Sequence, residues 1–196
     1  MKKILIIFSI FFCFFNNAYA QEFKLEKIID GLNNPWSLSF IDRENIVFTE
    51  KQGKLCLLNI KNKKISKIKH DLNVLEYGQG GLLDVLFMDQ DLYISYSEDR
   101  GDWKTSTSVA KGKFNQNNIS FKNIFRAEPP IDSKYHFGSR LVIKNKYIFI
   151  TTGERGQGMI AQDPTKHPGS VIRINLDGSI PVNPYNNQNS LKEIFM

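Results

Sequence analysis

After its first twenty residues the chain carries no apolar stripe of helical period. Short β-branched and aromatic runs appear instead, broken by Gly, Asn and Asp, and they predict strands over residues 37–40, 46–49, 55–60, 83–87, 92–96, 109–114, 119–126, 141–143, 147–151 and 171–176. The fold class is therefore all-β. The runs also recur in a fixed order. Trp36-Ser-Leu-Ser-Phe40, Asn45-Ile-Val-Phe-Thr-Glu50 and Gly53-Lys-Leu-Cys-Leu-Leu58 make one set. Gly81-Leu-Leu-Asp-Val-Leu-Phe87, Asp91-Leu-Tyr-Ile-Ser-Tyr96 and Val109-Ala-Lys-Gly-Lys-Phe114 make the second. Ser139-Arg-Leu-Val-Ile143, Lys146-Tyr-Ile-Phe-Ile-Thr151 and Gly169-Ser-Val-Ile-Arg-Ile174 make the third.

Each set reads as an inner strand, a short turn, a middle strand and a strand further out. The repeat is about 50 residues, the size of one four-stranded antiparallel propeller blade. Propellers close with roughly four to eight blades, and this chain supplies about three, so the expectation is a partial β-propeller. Residues 191–196, Leu-Lys-Glu-Ile-Phe-Met, look like the beginning of another strand. The sequence is expected to be incomplete at its C-terminus.

The opening changes the picture of compartment. Lys2 and Lys3 precede an apolar run from Ile4 to Phe15, and Ala18-Tyr19-Ala20 gives a small-x-small cleavage pattern. Residues 1–20 read as a signal peptide cut after Ala20, and residues 21–196 as one propeller portion, periplasmic or secreted. The run is too short to span a bilayer comfortably, so no membrane span is expected once it is removed. The leader takes two lysines and no acid from the 26 basic and 20 acidic side chains, which leaves 24 against 20. That small excess is densest over residues 61–69, without interleaved aromatics, and reads as a solvated lysine-rich face with no nucleic-acid partner. Only Cys56 survives processing, so neither an internal disulfide nor a cysteine metal site is available.

Three spots carry candidate chemistry. Gly78-Gln79-Gly80-Gly81 precedes an inner strand, where glycine permits close approach and Gln79 offers donor and acceptor together; a plain tight turn fits as well. His136 opens the third inner strand, at the mouth where a propeller binds ligands, and imidazole is the natural base near neutral pH; a structural histidine is the alternative. Glu154, in Thr151-Thr-Gly-Glu-Arg-Gly156, ends the middle strand of the same unit and could orient His136. Its alternative is a surface salt bridge with Arg155. Asp177-Gly178 signals a turn. His70 and His167, in polar loops, read as solvated.

Gly31-Leu-Asn-Asn-Pro-Trp-Ser-Leu-Ser-Phe40, Gly78-Gln-Gly-Gly-Leu-Leu83, His136-Phe-Gly-Ser-Arg-Leu-Val142, Thr152-Gly-Glu-Arg-Gly156 and Gly169-Ser-Val-Ile-Arg-Ile-Asn-Leu-Asp-Gly-Ser-Ile-Pro181 stand in order along the chain. In that order they resemble the glucose/sorbosone dehydrogenase family, especially its soluble aldose sugar dehydrogenases. The resemblance runs from about Phe23 to Phe195. It implies a six-bladed propeller carrying pyrroloquinoline quinone (PQQ) and calcium, and hydride transfer from the C1 hydroxyl carbon of an aldose. By matched position His136 is the catalytic base, Glu154 its supporting acid, Gln79 a residue beside substrate and cofactor, and Arg140 structural. Tyr135 stands where the glucose-specific branch has an Asp, which implies a broader aldose range. The family's next landmark, and the loops that grip calcium and the quinone carboxylates, fall beyond Met196, so no metal ligand is assigned in this chain. The segment alone is expected to be inactive. A non-enzymatic propeller that binds a ligand or protein partner is the alternative. A homodimer that joins two such arcs into one ring is geometrically allowed.

Overall fold

The computed structural model describes residues 23–184 and 189–196. The leader read over residues 1–20 lies outside them. Three sheets follow one another along the chain. β1 (Pro35–Phe40), β2 (Asn45–Glu50), β3 (Lys54–Asn59) and β4 (Lys64–His70) form an antiparallel meander. β5 (Leu82–Met88), β6 (Asp91–Asp99) and β7 (Thr105–Lys113) begin the second. The chain then adds a two-residue strand, β8 (Asn118–Ile119), parallel to β4, and returns as β9 (Lys122–Arg126) on the outer edge of the second sheet. β10 (Gly138–Lys144), β11 (Tyr147–Thr152) and β12 (Val171–Asn175) form the third.

The strand expected over residues 119–126 is thus two pieces. The Asp71 carboxylate accepts the Ser120 hydroxyl (2.5 Å) and the Phe121 N–H (2.9 Å), which pulls the chain off β4 before it turns. The lysine-rich stretch is solvated as expected but is also a strand: in β4 only Ile68 is buried, and Lys64, Lys67 and Lys69 face water. Charges along such an edge discourage pairing with another chain. Residues 193–196 run beside β12, with Arg173 N–H donating to Glu193 O (2.9 Å) and Ile172 bridged to Ile194, an irregular fourth edge for the third blade.

Alternation along the strands builds the core between blades. Val47, Leu55, Leu57 and Ile68 of the first blade meet Leu82, Val85, Leu92 and Ile94 of the second. Tyr93, Val109 and Phe125, on the second blade's other face, meet Leu141, Ile148, Ile150, Ile172 and Ile174 of the third. The remaining face of the first blade, Phe48, Cys56 and Leu58, is covered by Ile29 and Leu32 of the segment before β1. Cys56 is buried, and burial pushes its thiol pKa up.

Polar ties at the inner strands are as regular as the core. Each inner strand is bulged near its start, and each freed N–H donates to a middle-strand hydroxyl: Ser37 to Thr49 (3.2 Å), Asp84 to Ser95 (3.0 Å), Arg140 to Thr151 (3.0 Å). Thr49 then donates to Leu83 O (2.6 Å) and Ser95 to Ser139 O (2.6 Å), each on the next inner strand. The buried Asp84 carboxylate completes the set. It accepts the Ser37 hydroxyl (2.5 Å), the Val85 and Leu141 N–H groups (3.0 and 2.7 Å) and the Arg140 guanidinium (3.2 Å).

Replacing Asp84 by Ala leaves the N–H groups of Val85 and Leu141 without their acceptor inside the inner-strand layer, and leaving buried donors unsatisfied costs about 1–3 kcal/mol. The urea midpoint of Asp84→Ala is expected to fall accordingly. Unfolding at the wild-type midpoint would contradict the role given to this carboxylate.

Candidate active site

The bulged starts of β5 and β10 and the end of β11 meet at one end of the arc. The turn before β5 is tight, with Gly80 N–H donating to Tyr77 O (2.9 Å) and Gln79 N–H to Lys134 O (2.8 Å). A β-carbon on Gly78 would overlap Lys134, so the turn lies directly on the loop before β10. The side chain of Gln79 reaches across that junction, and its Oε1 accepts the backbone N–H of His136 (2.8 Å).

His136 has a left-handed backbone (φ 49°), as do Ser139 (φ 70°) and Arg155 (φ 59°) nearby. Non-glycine residues in this region persist where the surroundings over-determine them, and they concentrate at functional sites. Here the over-determination is visible. The His136 carbonyl sits where a β-carbon of Gly153 would be, so only glycine lets β11 approach the histidine this closely. Gly153 N–H then donates to Phe137 O (3.1 Å).

The imidazole faces the end of β11. Nδ1 lies 2.6 and 2.7 Å from the two carboxylate oxygens of Glu154, whose Oε1 also accepts Gly156 N–H (3.1 Å). A carboxylate at Nδ1 assigns the proton there and leaves the Nε2 lone pair outward. The hydrogen bond from His136 holds the Glu154 carboxyl below its ordinary range. His136 is half exposed, on a cleft of about 430 Å³ shared with Trp36, Lys51, Gln79 and Phe137. A larger, more apolar groove of about 660 Å³ runs along the first blade's flank, bounded by Ile28, Leu32, Leu38 and Phe48, but it contains no acid–base pair.

The three residues singled out in the sequence, His136, Glu154 and Gln79, are therefore in contact. Arg155 is not the surface partner of Glu154. It is 3% exposed, and its guanidinium spans the carbonyls of Tyr135 (3.0 Å), Ser133 (2.5 Å) and Thr105 (3.2 Å) and the Thr105 hydroxyl (2.7 Å). Its face covers the Phe137 ring at 3.7 Å. Burial lowers its pKa to about 10, so it stays cationic at neutral pH. Composition gave no sign of this clamp, because Arg155 reads as one more charged loop residue. Lys51 was equally silent: its ammonium donates to Gly78 O (2.7 Å) and its carbonyl accepts Leu82 N–H (2.9 Å), which fixes the Gln79 turn from below. Arg140 pairs with Asp84 and stacks over Trp36 at 4.5 Å.

Two other histidines depart from expectation. His167 is buried against Phe125, and its Nδ1 accepts Glu128 N–H (2.9 Å); the loop before β12 folds inward over the second core. His70 is half-buried, with Nε2 2.9 Å from Gly53 O, because β4 carries it alongside β3. The turn at Asp177-Gly178 forms as read, Gly178 N–H donating to Asn175 O (2.9 Å). Among the described residues no three His, Cys, Asp or Glu side chains group as metal ligands, and no helix is long and apolar enough to cross a membrane.

The family profile described as Glucose / Sorbosone dehydrogenase matches residues 32–196. The chain is similar to the aldose sugar dehydrogenase YliI of Escherichia coli (strain K12), 33% identical over 168 residues that cover 81% of this chain and 45% of that protein. It is 29% identical to quinoprotein glucose dehydrogenase B of Acinetobacter calcoaceticus over 85% of this chain and 42% of that one. The apo-form crystal structure of the soluble aldose sugar dehydrogenase from Escherichia coli superposes with a TM-score of 0.81 at 32% identity, over 86% of this chain and 52% of that one. The chain spans about half the length of the curated relatives it matches.

Arg155→Ala removes the cation that holds the Tyr135 and Ser133 carbonyls of the histidine loop to Thr105, whose own carbonyl still accepts Ile131 N–H (3.0 Å). An opening cheaper by about 1–3 kcal/mol is expected there. Amide hydrogen exchange at His136 and Gln79 should rise about tenfold or more in Arg155→Ala, and Arg155→Lys should not restore it, because one ammonium lacks the planar fork. Unchanged protection at both amides would refute the clamp.

Proposed function

The chain belongs to the glucose/sorbosone dehydrogenase family, and from that premise we propose that the whole protein oxidises aldose sugars at the C1 hydroxyl, with His136 as the general base. The carrying observation is the pair itself: Nδ1 of His136 held by both oxygens of Glu154, with Nε2 toward the cleft. Alcohol oxidation removes a proton from oxygen and a hydride from carbon. Nε2 takes the proton, and Glu154 stabilises the imidazolium that results. Gln79 spends its carbonyl oxygen on the His136 N–H and keeps its amide hydrogens for a sugar hydroxyl. Tyr135, half exposed beside His136, replaces an acid that would narrow the choice to glucose, which supports a broader aldose range.

The family resemblance and the quinoprotein relative support PQQ, with calcium, as the hydride acceptor in the whole protein. PQQ supplies a two-electron quinone and carries carboxylates that need cationic partners. The cleft offers one ammonium, Lys51, already bound to Gly78 O and 3.6 Å from Glu76, and no metal cluster occurs among the described residues. These residues therefore fit the proton-handling side of the reaction but do not grip the quinone or calcium. By this reading residues 23–196 alone are not a competent dehydrogenase. The leader over residues 1–20 supports export to the periplasm.

Loss of a positioned general base lowers rate about a hundredfold or more. In the full-length protein supplied with PQQ and calcium, His136→Ala should reduce aldose-dependent dye reduction by at least that factor. Near wild-type turnover in the variant would overturn the assignment.

A further inference from the structure

One feature of the same rim is not used by the proton chemistry. β6 pairs antiparallel with β5, so the hairpin joining β6 to β7 emerges at the end of the sheet where Gln79 lies. Its tip is Gly101-Asp102-Trp103, and all three residues are left-handed (φ 81°, 50° and 60°). Gly101 N–H donates to Asp99 Oδ1 (2.9 Å), Lys104 N–H to Gly101 O (2.9 Å) and Arg100 N–H to Lys104 O (2.9 Å), so the turn is tied shut. Two consecutive non-glycine residues in this region are strained, and they persist where the turn around them is held in place. What the turn presents is an indole, 64% exposed, that adds nothing to the core.

Trp103 is not alone. Its ring lies 5.5 Å from that of Tyr77, tilted by 49°. Tyr77 begins the tight turn that ends at Gly80, two residues before Gln79, a separation of at most about 7 Å of chain. Tyr77 therefore stands on the turn that positions His136, next to the cleft-lining Gly78 and Gln79, and Trp103 meets it from the β6–β7 hairpin.

We propose that Tyr77 and Trp103 form a second sugar subsite, for the next ring of an uncharged oligosaccharide whose reducing-end ring is presented to His136. This rests on the aldose-oxidising reading above. A pyranose offers a face of C–H groups that lies flat on the electron-rich face of an aromatic ring, while its hydroxyls stay in water. Two rings flanked by Glu76, Asp102 and Lys104 suit such a ligand. They are far too small an apolar area for a stable protein partner, which needs about 800 Å² on each side.

The test uses the full-length protein labelled with 5-fluorotryptophan, in which the ¹⁹F resonance missing from Trp103→Ala identifies Trp103. Glucose, maltotriose and cellotriose are titrated separately. The Trp103 resonance should move saturably with at least one trisaccharide and stay fixed with glucose. Trp103→Ala, at the rim and outside the core, should weaken that trisaccharide about five- to tenfold while leaving the affinity for glucose within twofold. A Trp103 resonance indifferent to both trisaccharides overturns the subsite, even if glucose is oxidised normally. Equal weakening of glucose and trisaccharide overturns it too. Trisaccharide-specific shifts in a protein that oxidises no sugar would uphold the subsite and overturn the dehydrogenase reading instead.

Discussion

The arc holds its shape, and its site, through a buried carboxylate at the inner strands. Asp84 is reached by Ser37 from the first blade, by its own strand, and by Leu141 and Arg140 from the third. Apolar contact between blades is non-directional and would tolerate sliding of one sheet on the next. A charge buried among directed donors does not. The hydroxyls of Thr49 and Ser95 repeat the constraint one layer out, each tying a bulge to the following inner strand. The same bulges start the strands that follow Gln79 and His136, so the register of the blades and the geometry of the site have one origin.

That origin also accounts for the strain in the site. His136 is left-handed, and its carbonyl is pressed onto Gly153. Three side chains from two places pin it: Gln79 takes its N–H, and at the end of β11 Glu154 takes its ring while Arg155 gathers the carbonyls before it. Preorganisation of this kind suits the general base proposed for His136, because no reorganisation is then needed during the reaction. The rim around it is more exposed, which is where a protein can vary what it binds without disturbing the His136–Glu154 pair.

Much of this was legible in the chain. The period-2 runs placed nearly every strand of the three blades, and the recurring order of segments gave the propeller, because both follow from sheet geometry that repeats locally. His136, Glu154 and Gln79 stood out by their places at strand openings and ends. A plain turn, a structural histidine or a surface salt bridge fitted those places as well, and only the family resemblance singled them out as a site. Arg155 did not stand out, because only the folded loop shows that its charge turns inward toward carbonyls. His167 was misread for a similar reason: its polar neighbours hid a loop that folds over Phe125. The strand β4 hid behind its lysines, since a single buried Ile68 leaves little alternation to see. The split of residues 119–126 depends on Asp71, about fifty residues away in sequence, and no local pattern carries that.

The central claim is that Glu154 fixes the His136 ring with its proton on Nδ1 and a lone pair on Nε2 toward the cleft. The most direct measurement is a long-range ¹H–¹⁵N spectrum of the ¹⁵N-histidine-labelled protein at a pH where the ring is neutral. The chain has only three histidines, so assignment is tractable. A protonated Nδ1 and a bare Nε2 at His136, lost in Glu154→Gln, is the predicted result. A proton on Nε2 in the wild-type protein would contradict the account.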